Sequence, residues 1–220
     1  MRGSGAQNSI SDLHEPRIVH GDISTDIILG PIRVSVDEDR TAIGDPGFVP
    51  ISLYWNFGNF HFNAYETIIV SIGSYDKDRD VNAGLNYWSF DTTLAATYLH
   101  PEKGHEISVV LGYIYNTENG DTDYQTGQEF HVDYMLNQFL SETFAIGLHG
   151  FYYKQINGDS ASGALLGDFK GEAAGIGPAV MWATKIKNVD LVINAKWLHE
   201  FHAENRLEGD HLFLNFTLAF

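Results

Sequence analysis

The feature that most constrains this chain is an alternation of apolar and other side chains with a period of two residues. The C-terminal segment shows it most clearly. Its alternating apolar set consists of Leu212, Leu214, Phe216, Leu218 and Phe220. Because successive side chains of a β-strand point to opposite faces, this period predicts strands with one continuous apolar face.

The same pattern recurs along the chain and predicts ten strands. They lie at 27–36, 47–57, 60–73, 88–99, 105–116, 128–137, 143–155, 171–184, 190–202 and 210–220. Most reach the roughly 9 to 11 residues that a tilted strand needs to cross the hydrocarbon layer, whereas globular strands usually have about 5 or 6. No run of about 18 apolar residues exists, which excludes a transmembrane helix. The prediction is therefore an all-β, transmembrane antiparallel β-barrel.

The predicted connections alternate between short and long. The short ones are 57–60, 99–105, 137–143 and 184–190, and the long polar ones are 37–47, 75–88, 116–128, 156–170 and 202–210. Short periplasmic turns and longer external loops are typical of outer-membrane barrels. Since an unpaired backbone group in hydrocarbon costs several kcal/mol, the sheet is expected to close, with 27–36 pairing with 210–220.

The N-terminal segment 1–26 lacks sustained alternation. We expect it to be a tail or a plug that folds into the lumen, so that the chain divides into 1–26 and a barrel over 27–220. The whole chain has no cysteine and a formal net charge of -16. The first fact excludes disulfides and thiolate metal sites, and the second argues against nucleic acid as a partner, because phosphate affinity needs clustered Lys and Arg.

Several short motifs, taken in order and spacing, resemble the outer-membrane channel family named for the meta-pathway of phenol degradation. They are Gly44-Asp45-Pro46, Trp55, Ser71-Ile72-Gly73-Ser74-Tyr75-Asp76, Asn86-Tyr87-Trp88-Ser89-Phe90, Asn116 with Asn119, Thr122, Tyr124 and Gly127, then Gly158-Asp159, Gly177-Pro178, Lys196 with Glu200, and Asn205-Arg206 before Gly209.

The resemblance covers about residues 27–220 and implies a channel of the bacterial outer membrane that takes up hydrophobic molecules, aromatic or lipid-like. Members of this family resemble twelve-stranded barrels with an N-terminal segment in the lumen, so the count becomes twelve if the first hairpin is present. The expected partners are outer-membrane lipids, lipopolysaccharide, the hydrophobic substrate and the barrel-assembly machinery. Phe220 resembles the C-terminal signal that this machinery recognises. No cofactor is expected.

The second face of the predicted strands carries polar, aromatic and small side chains that should line the lumen. The candidates for a substrate path are Asn194, Lys196, Glu200, His202, His131, Asp133, His149, Phe151, Tyr153 and Phe213. The alternative is a structural network that only fills the interior, since small barrels are packed with side chains. Both interpretations remain open at the sequence level.

Proline inside a strand removes a ladder hydrogen bond and is ordinarily confined to edges or bulges. Gly177 and Pro178 fall within a predicted strand, and Pro50 and Pro31 are further cases. One hypothesis is a lateral opening through which an apolar substrate leaves the lumen. The other is a β-bulge that sets the curvature of the wall.

Metal binding and catalysis find little support. His199-Glu200-Phe201-His202 lacks the two histidines one helical turn apart that a zinc protease needs. Asp76, Asp78 and Asp80 have the spacing of a calcium loop without its glycine and glutamate. We therefore predict no metal site.

An enzyme is not predicted either, although two alternatives to a channel stay open. One is an outer-membrane hydrolase, a protease or phospholipase, with Asp159, His149 and His202 as loosely grouped candidates. No nucleophile with an adjacent base is legible among them. The other is a purely structural barrel.

Overall fold

The computed structural model describes residues 18–29, 32–79, 82–164, 170–206 and 208–219. These residues form eleven antiparallel strands in two sheets. The strands are β1 (Ile18–Leu29), β2 (Ile32–Ile43), β3 (Gly47–Phe57), β4 (Phe60–Ile69), β5 (Ser89–His100), β6 (His105–Asn116), β7 (Glu129–Phe139), β8 (Phe144–Gln155), β9 (Glu172–Ile186), β10 (Val189–Glu204) and β11 (Asp210–Ala219). In the described part of the chain, no helix has the length and apolarity to span a bilayer.

The larger sheet contains β3 to β11 in sequence order, each strand paired with the next. Its nine strands confirm the nine predicted from residue 47 onward, with ends that differ by a few residues. The connections also alternate as predicted. The short ones are 58–59, 101–104, 140–143 and 187–188, and the long ones are 70–88, 117–128, 156–171 and 205–209. We call the two ends of the sheet the short-turn rim and the long-loop rim.

The smaller sheet is a hairpin of β1 and β2, with Leu29 opposite Ile32 and Ile18 opposite Ile43. The predicted single strand at 27–36 is therefore wrong, because it joins the end of β1 to the start of β2. Gly30-Pro31, a strong turn signal, lies between the two strands. Most of the predicted loop 37–47 belongs to β2. Residues 18–26 belong to β1, while 1–17 lie outside the described residues, so the lumen plug stays a prediction.

The predicted pairing of 27–36 with 210–220 is not present among the described strands, since β11 pairs only with β10 and β3 only with β4. These two edge strands run in the same direction, because eight antiparallel pairings separate them. An antiparallel ring therefore needs an odd number of further strands between β3 and β11.

The faces of the large sheet are inverted relative to a soluble protein. Leu94 on β5 is 58% exposed, while its neighbour Thr93 is 0% exposed. We call the face of Leu94 the outer face and that of Thr93 the inner face. Outer-face residues that are large, apolar and exposed include Trp55, Phe57, Phe60, Leu94, Ile107, Leu111, Leu136, Ile146, Val180, Trp182, Leu214 and Phe216.

The inner face buries polar and apolar side chains together. Its most buried members include Ser108, Glu106 and Glu200 beside Leu99, Met135 and Leu198. A soluble sheet would hide the apolar face and hydrate the polar one. The inverted arrangement is stable only where the outer face meets an apolar medium.

A lysine at the centre of the outer face should destabilise the protein folded in lipid. We expect Leu94→Lys to lower the free energy of unfolding by about 2–4 kcal/mol, the cost of lysine near the bilayer midplane. The measurement is urea-dependent folding into phospholipid vesicles. Leu85→Lys is the matched control, because Leu85 is 52% exposed but lies in a long loop. Equal effects of the two substitutions would contradict a lipid-facing outer face.

Candidate transport path on the inner face

Most of the predicted lumen residues share the inner face of β7, β8, β10 and β11. Strand pairing gives their placement, since directly opposed residues lie on one face. His131 is opposite Gly112, Asp133 is opposite buried Val110, and Lys196 is opposite buried Ala179. By the same test Asn194, Glu200, His149, Phe151, Tyr153 and Phe213 also lie on this face.

His202 is the exception, and its predicted place in the lumen is wrong. A β-bulge interrupts the pairing of β10 with β9 between Glu200 and His202. One extra residue exchanges the two faces of a strand. Glu200 therefore points inward with Gly175, whereas His202 lies opposite Ala174 on the outer face.

The bulge brings His202 next to two acids at the long-loop rim. Ligand atoms of Glu172, His202 and Glu204 all lie within 4.8 Å of one another. Glu172 already accepts hydrogen bonds from the Tyr152 hydroxyl and the Lys154 ammonium, both at 2.8 Å. These partners compete with a cation for the Glu172 oxygens. We therefore interpret the three side chains as a polar cluster on the outer face and not as a metal site.

His131 links two strands that are not neighbours. Its Nε2 lies 3.3 Å from both oxygens of Asp91 on β5, and its Nδ1 lies 3.1 Å from Asp133 on its own strand. The ring crosses β6 at Gly112, where a β-carbon would overlap the imidazole. The contact with Asp91 therefore depends on the missing side chain at this glycine.

Glu200, 1% exposed, holds the turn between β10 and β11. Its carboxylate contacts His211 Nε2 at 3.0 Å, the Arg206 guanidinium at 3.5 Å and the backbone N–H of Gly209 at 2.9 Å. Three partners compensate the burial of this charge. Glu200 thus acts as an internal anchor for the turn, which is the structural role left open at the sequence level.

Aromatic rings line the inner face around this anchor. His211 packs edge-on against Phe151, with ring centroids 5.9 Å apart, and stacks on Phe213 at 6.1 Å. The Lys196 ammonium lies 4.6 Å from the centroid of Phe213, and the Arg206 guanidinium lies 5.2 Å from that of Tyr153. Cations over ring faces are attracted by the ring quadrupole. The inner face around Glu200 thus combines aromatic rings with cationic side chains.

The long loops are joined to one another by hydrogen bonds. Asp159 accepts from the Tyr124 hydroxyl, from the Gly127 backbone N–H at 3.1 Å and from Gln155 at 2.5 Å. Asp45 accepts from the backbone N–H groups of Gly73 and Leu85, each at 2.7 Å. The Asn119 side-chain amide donates to the Leu85 carbonyl at 3.1 Å. Together these contacts link 44–46, 70–88, 117–128 and 156–164 into a hydrogen-bonded collar at the long-loop rim.

Two tyrosines of the collar stay protonated over the ordinary pH range. Burial raises the pKa of Tyr87 to about 12, and its hydroxyl accepts a hydrogen bond from Thr126. Burial, reinforced by the Asp159 carboxylate, also raises the pKa of Tyr124. Both hydroxyls therefore keep their protons, and that of Tyr124 is donated to Asp159.

Of the predicted calcium-like set, Asp76 bonds to Arg79 at 3.3 Å and accepts from the backbone N–H of Asp78. Asp80 lies outside the described residues. Asp76 is thus engaged within its own loop.

The three prolines proposed for a wall defect differ. Pro178 faces outward and keeps its pairing with Leu148 on β8. Towards β10, pairing stops between Ala179–Lys196 and Ile176–His199 and resumes without a shift in register. The hypothesis of a β-bulge at Gly177-Pro178 is therefore wrong. Instead, the pairing of β9 with β10 is interrupted at these two residues. A true bulge lies between Phe48 and Ile51, around Pro50. Pro31 lies outside the described residues.

The outer face also has an apolar concavity of about 360 Å³. Ala64 and Ala96 help to line it, with Trp55, Phe62 and Leu94 among the larger lining side chains. It lies on the face that carries the exposed apolar residues.

The hydrolase candidates do not come together. Asp159 belongs to the collar, His149 bonds to Asn137 on the inner face, and His202 lies on the outer face beside Glu172. The described residues thus give these three no shared nucleophile–base geometry.

Sequence reasoning missed Asp91, Gly112 and His211 as parts of the inner face. The period of two could have predicted His211, because it alternates with Leu212. It could not have predicted the contact of His131 with Asp91, which depends on a strand register that places Gly112 between them.

Comparison with known proteins places these features in context. A family model described as the MetA-pathway of phenol degradation matches residues 3–216. An outer membrane channel from Pseudomonas putida F1 has the same fold, with a TM-score of 0.64 and 16% identity over 82% of this chain and 66% of that one. The chain thus spans about two thirds of the length of that channel. No curated protein matches. The predicted resemblance is confirmed, and the bacterial outer membrane is the compartment of this chain.

Adding a methyl group at Gly112 should separate His131 from Asp91. We expect Gly112→Ala to lower the free energy of unfolding by about 2–4 kcal/mol, because it overpacks the site and leaves buried charges unpaired. Urea titration in vesicles measures this. Gly120→Ala is the control, since nothing lies within 4 Å of a β-carbon there. A Gly112→Ala protein as stable as this control would contradict the bridge.

Proposed function

Because this chain belongs to the MetA-pathway of phenol degradation family, we propose that it is an outer-membrane channel for passive uptake of small hydrophobic molecules, aromatic or lipid-like. The observation that carries the proposal is the composition of the inner face. The aromatic rings of Phe151, Tyr153 and Phe213, which are half-buried, share it with paired charges. An apolar solute can slide along such a surface, while a water-filled porin lumen is predominantly polar.

We further propose that the wall closes through the hairpin of β1 and β2. β2 leads to β3 through residues 44–46 alone, and β1 pairs with the whole length of β2. Because the strands between β3 and β11 must be odd in number, β1, β2 and one further strand would complete a twelve-stranded antiparallel ring without an edge exposed to lipid. The outer face would then contact lipid and lipopolysaccharide, and the barrel-assembly machinery would insert it.

A second proposed feature is lateral exit at Pro178. The proline supplies no N–H, and the ladder to β10 is interrupted beside it. Gly177 approaches so closely that a β-carbon would overlap the Trp197 carbonyl. The strands therefore touch at rest, so release of a solute would require them to separate transiently at their weakest pairing.

A channel for apolar solutes should conduct ions and sugars poorly and should retain an apolar molecule. In planar bilayers and liposome-swelling assays we expect weak conductance and slow entry of polar solutes, and extraction of the purified protein should yield bound detergent or lipid. Deleting residues 1–17, which precede β1, should raise conductance if they form the plug. Rapid sugar entry into vesicles that contain the wild-type protein, with no apolar molecule retained, would contradict the proposed function. Unchanged conductance after the deletion would contradict only the prediction of a lumen plug.

Restoring the missing donor should slow lateral release. Pro178→Ala can add one ladder hydrogen bond of about 1 kcal/mol, so we expect a pre-bound fluorescent hydrocarbon to leave for acceptor vesicles about fivefold more slowly. Pro101→Ala, in a short turn, is the control and should leave the rate unchanged. Release as fast as in the wild type would argue against exit at this point.

A further inference from the structure

The outer face has a hollow that runs from its centre towards the short-turn rim. It is the apolar concavity of about 360 Å³, whose lining extends from Leu94 to Phe57, the last residue of β3. Ala64 lies opposite Leu94, and Ala96 lies opposite Phe62. Because these two small side chains stand among large ones, the face is recessed between β3 and β6.

Beyond the hollow, β5 leads to a short turn that carries two hydrogen-bond donors. The outer-face residues after Ala96 are Tyr98 and His100, and exposed Lys103 lies in the turn 101–104. The Nδ1 atom of His100 accepts from the backbone N–H of Lys103 at 3.3 Å, which leaves the hydrogen of the neutral ring on Nε2. Within the described part of the chain, neither this Nε2–H nor the Lys103 ammonium has a hydrogen-bond or ion-pair partner. Both can therefore donate to a ligand.

The turn is held in place from β7. The Gln138 side-chain amide donates to the carbonyl oxygens of Lys103 and Phe139, both at 2.9 Å. The Gly104 backbone N–H donates to the His100 carbonyl at 2.8 Å. The backbone that carries the two donors is therefore ordered before a ligand binds, which lowers the entropic cost of binding.

The spacing of the hollow and the donors matches an amphiphile that lies in one leaflet. Four residues of extended strand separate Ala96 from His100, which is about 13 Å. Half of the hydrocarbon layer is about 15 Å thick. A lipid with its phosphate at His100 and Lys103 would therefore have the end of an acyl chain at the hollow. The short turns of such barrels face the periplasm, where the leaflet consists of phospholipid.

The two parts contribute differently to binding. Lipid chains are as apolar as leucine, so no hydrophobic driving force favours the hollow over the bilayer, and the hollow contributes packing contacts. The ammonium and the imidazole N–H contribute charge-assisted hydrogen bonds to phosphate oxygens, and the lysine favours an anionic headgroup. Another barrel would match the apolar part alone, which favours a lipid as the occupant.

We propose that the outer face of β3 to β6 binds one anionic phospholipid, with its phosphate at His100 and Lys103 and one acyl chain over Ala64 and Ala96. The bound lipid fills the recess in the wall. The site depends on an outer face that meets lipid and does not require the uptake of apolar solutes, so either proposal can fail without the other.

The test uses tryptophan fluorescence, because bromine on an acyl chain quenches an indole that it contacts. The chain has four tryptophans. One single-tryptophan protein retains Trp55, which lines the hollow. A second retains Trp182, which lies on the outer face opposite Phe144, the first residue of β8, and thus in the same half of the sheet. The other tryptophans are replaced by phenylalanine.

Both proteins are folded into phosphatidylcholine vesicles that contain increasing fractions of phosphatidylglycerol brominated near its chain ends. We expect half-maximal quenching of Trp55 at a fraction of brominated lipid about fivefold lower than that for Trp182. This is the preference that one lysine near a lipid surface provides.

Two substitutions in the Trp55 protein should remove the fivefold preference. Ala96→Leu fills the hollow, and Lys103→Gln removes the ammonium from the turn. Ala195→Leu is the control for the first, because Ala195 lies on the outer face opposite Leu214 and outside the hollow. Lys187→Gln is the control for the second, because Lys187 is exposed in another short turn. Both controls should keep the preference.

Four results would overturn the site. Equal quenching of Trp55 and Trp182 would show that no lipid is preferred, and weaker quenching of Trp55 would show that another protein copy occupies the hollow. A preference that persists in Lys103→Gln would show that the headgroup is not recognised. An equal loss in a substitution and its control would make the effect structural. A fivefold preference in a protein that fails the channel assays would support the site and contradict only the proposed uptake.

Discussion

The constraint on which this structure depends is that backbone amides in hydrocarbon must find their partners within the protein. An antiparallel ladder meets this requirement from β3 to β11, and its two rims hold the connections. With the backbone satisfied in the sheet, the side chains only have to match the medium on each side. The outer face is apolar and exposed, and polar groups are left to the inner face.

Burial on the inner face requires that charged side chains have partners there. A buried carboxylate costs several kcal/mol unless opposite charges and donors surround it. Glu200 has His211, Arg206 and the Gly209 N–H, and Asp91 has His131 and the Thr93 hydroxyl. Glycines supply the space for these contacts, as at Gly112 under His131. These partners compensate the buried charges, and the aromatic rings beside them are the surface on which the proposed uptake of apolar solutes depends.

Irregularities in the ladder carry the features that a uniform sheet would lack. The bulge after Glu200 directs His202 outward, and Pro178 interrupts pairing without shifting it. Each changes the wall locally while the pairing on either side remains in register. The interruption beside Pro178 is the position of the proposed lateral exit.

The sequence by itself determined the strands from residue 47 onward, their inner and outer faces, and the alternation of turns and loops, because all three follow from a local period of two. It failed at 27–36, where the turn signal of Gly30-Pro31 outweighs the period, and at His202, where an unseen extra residue exchanges the faces. Only the tertiary structure decided which inner-face groups meet. His131 and Asp91 are 40 residues apart, and they touch because the register of three strands places Gly112 between them. Register is a property of pairs of strands, so no single strand's pattern contains it.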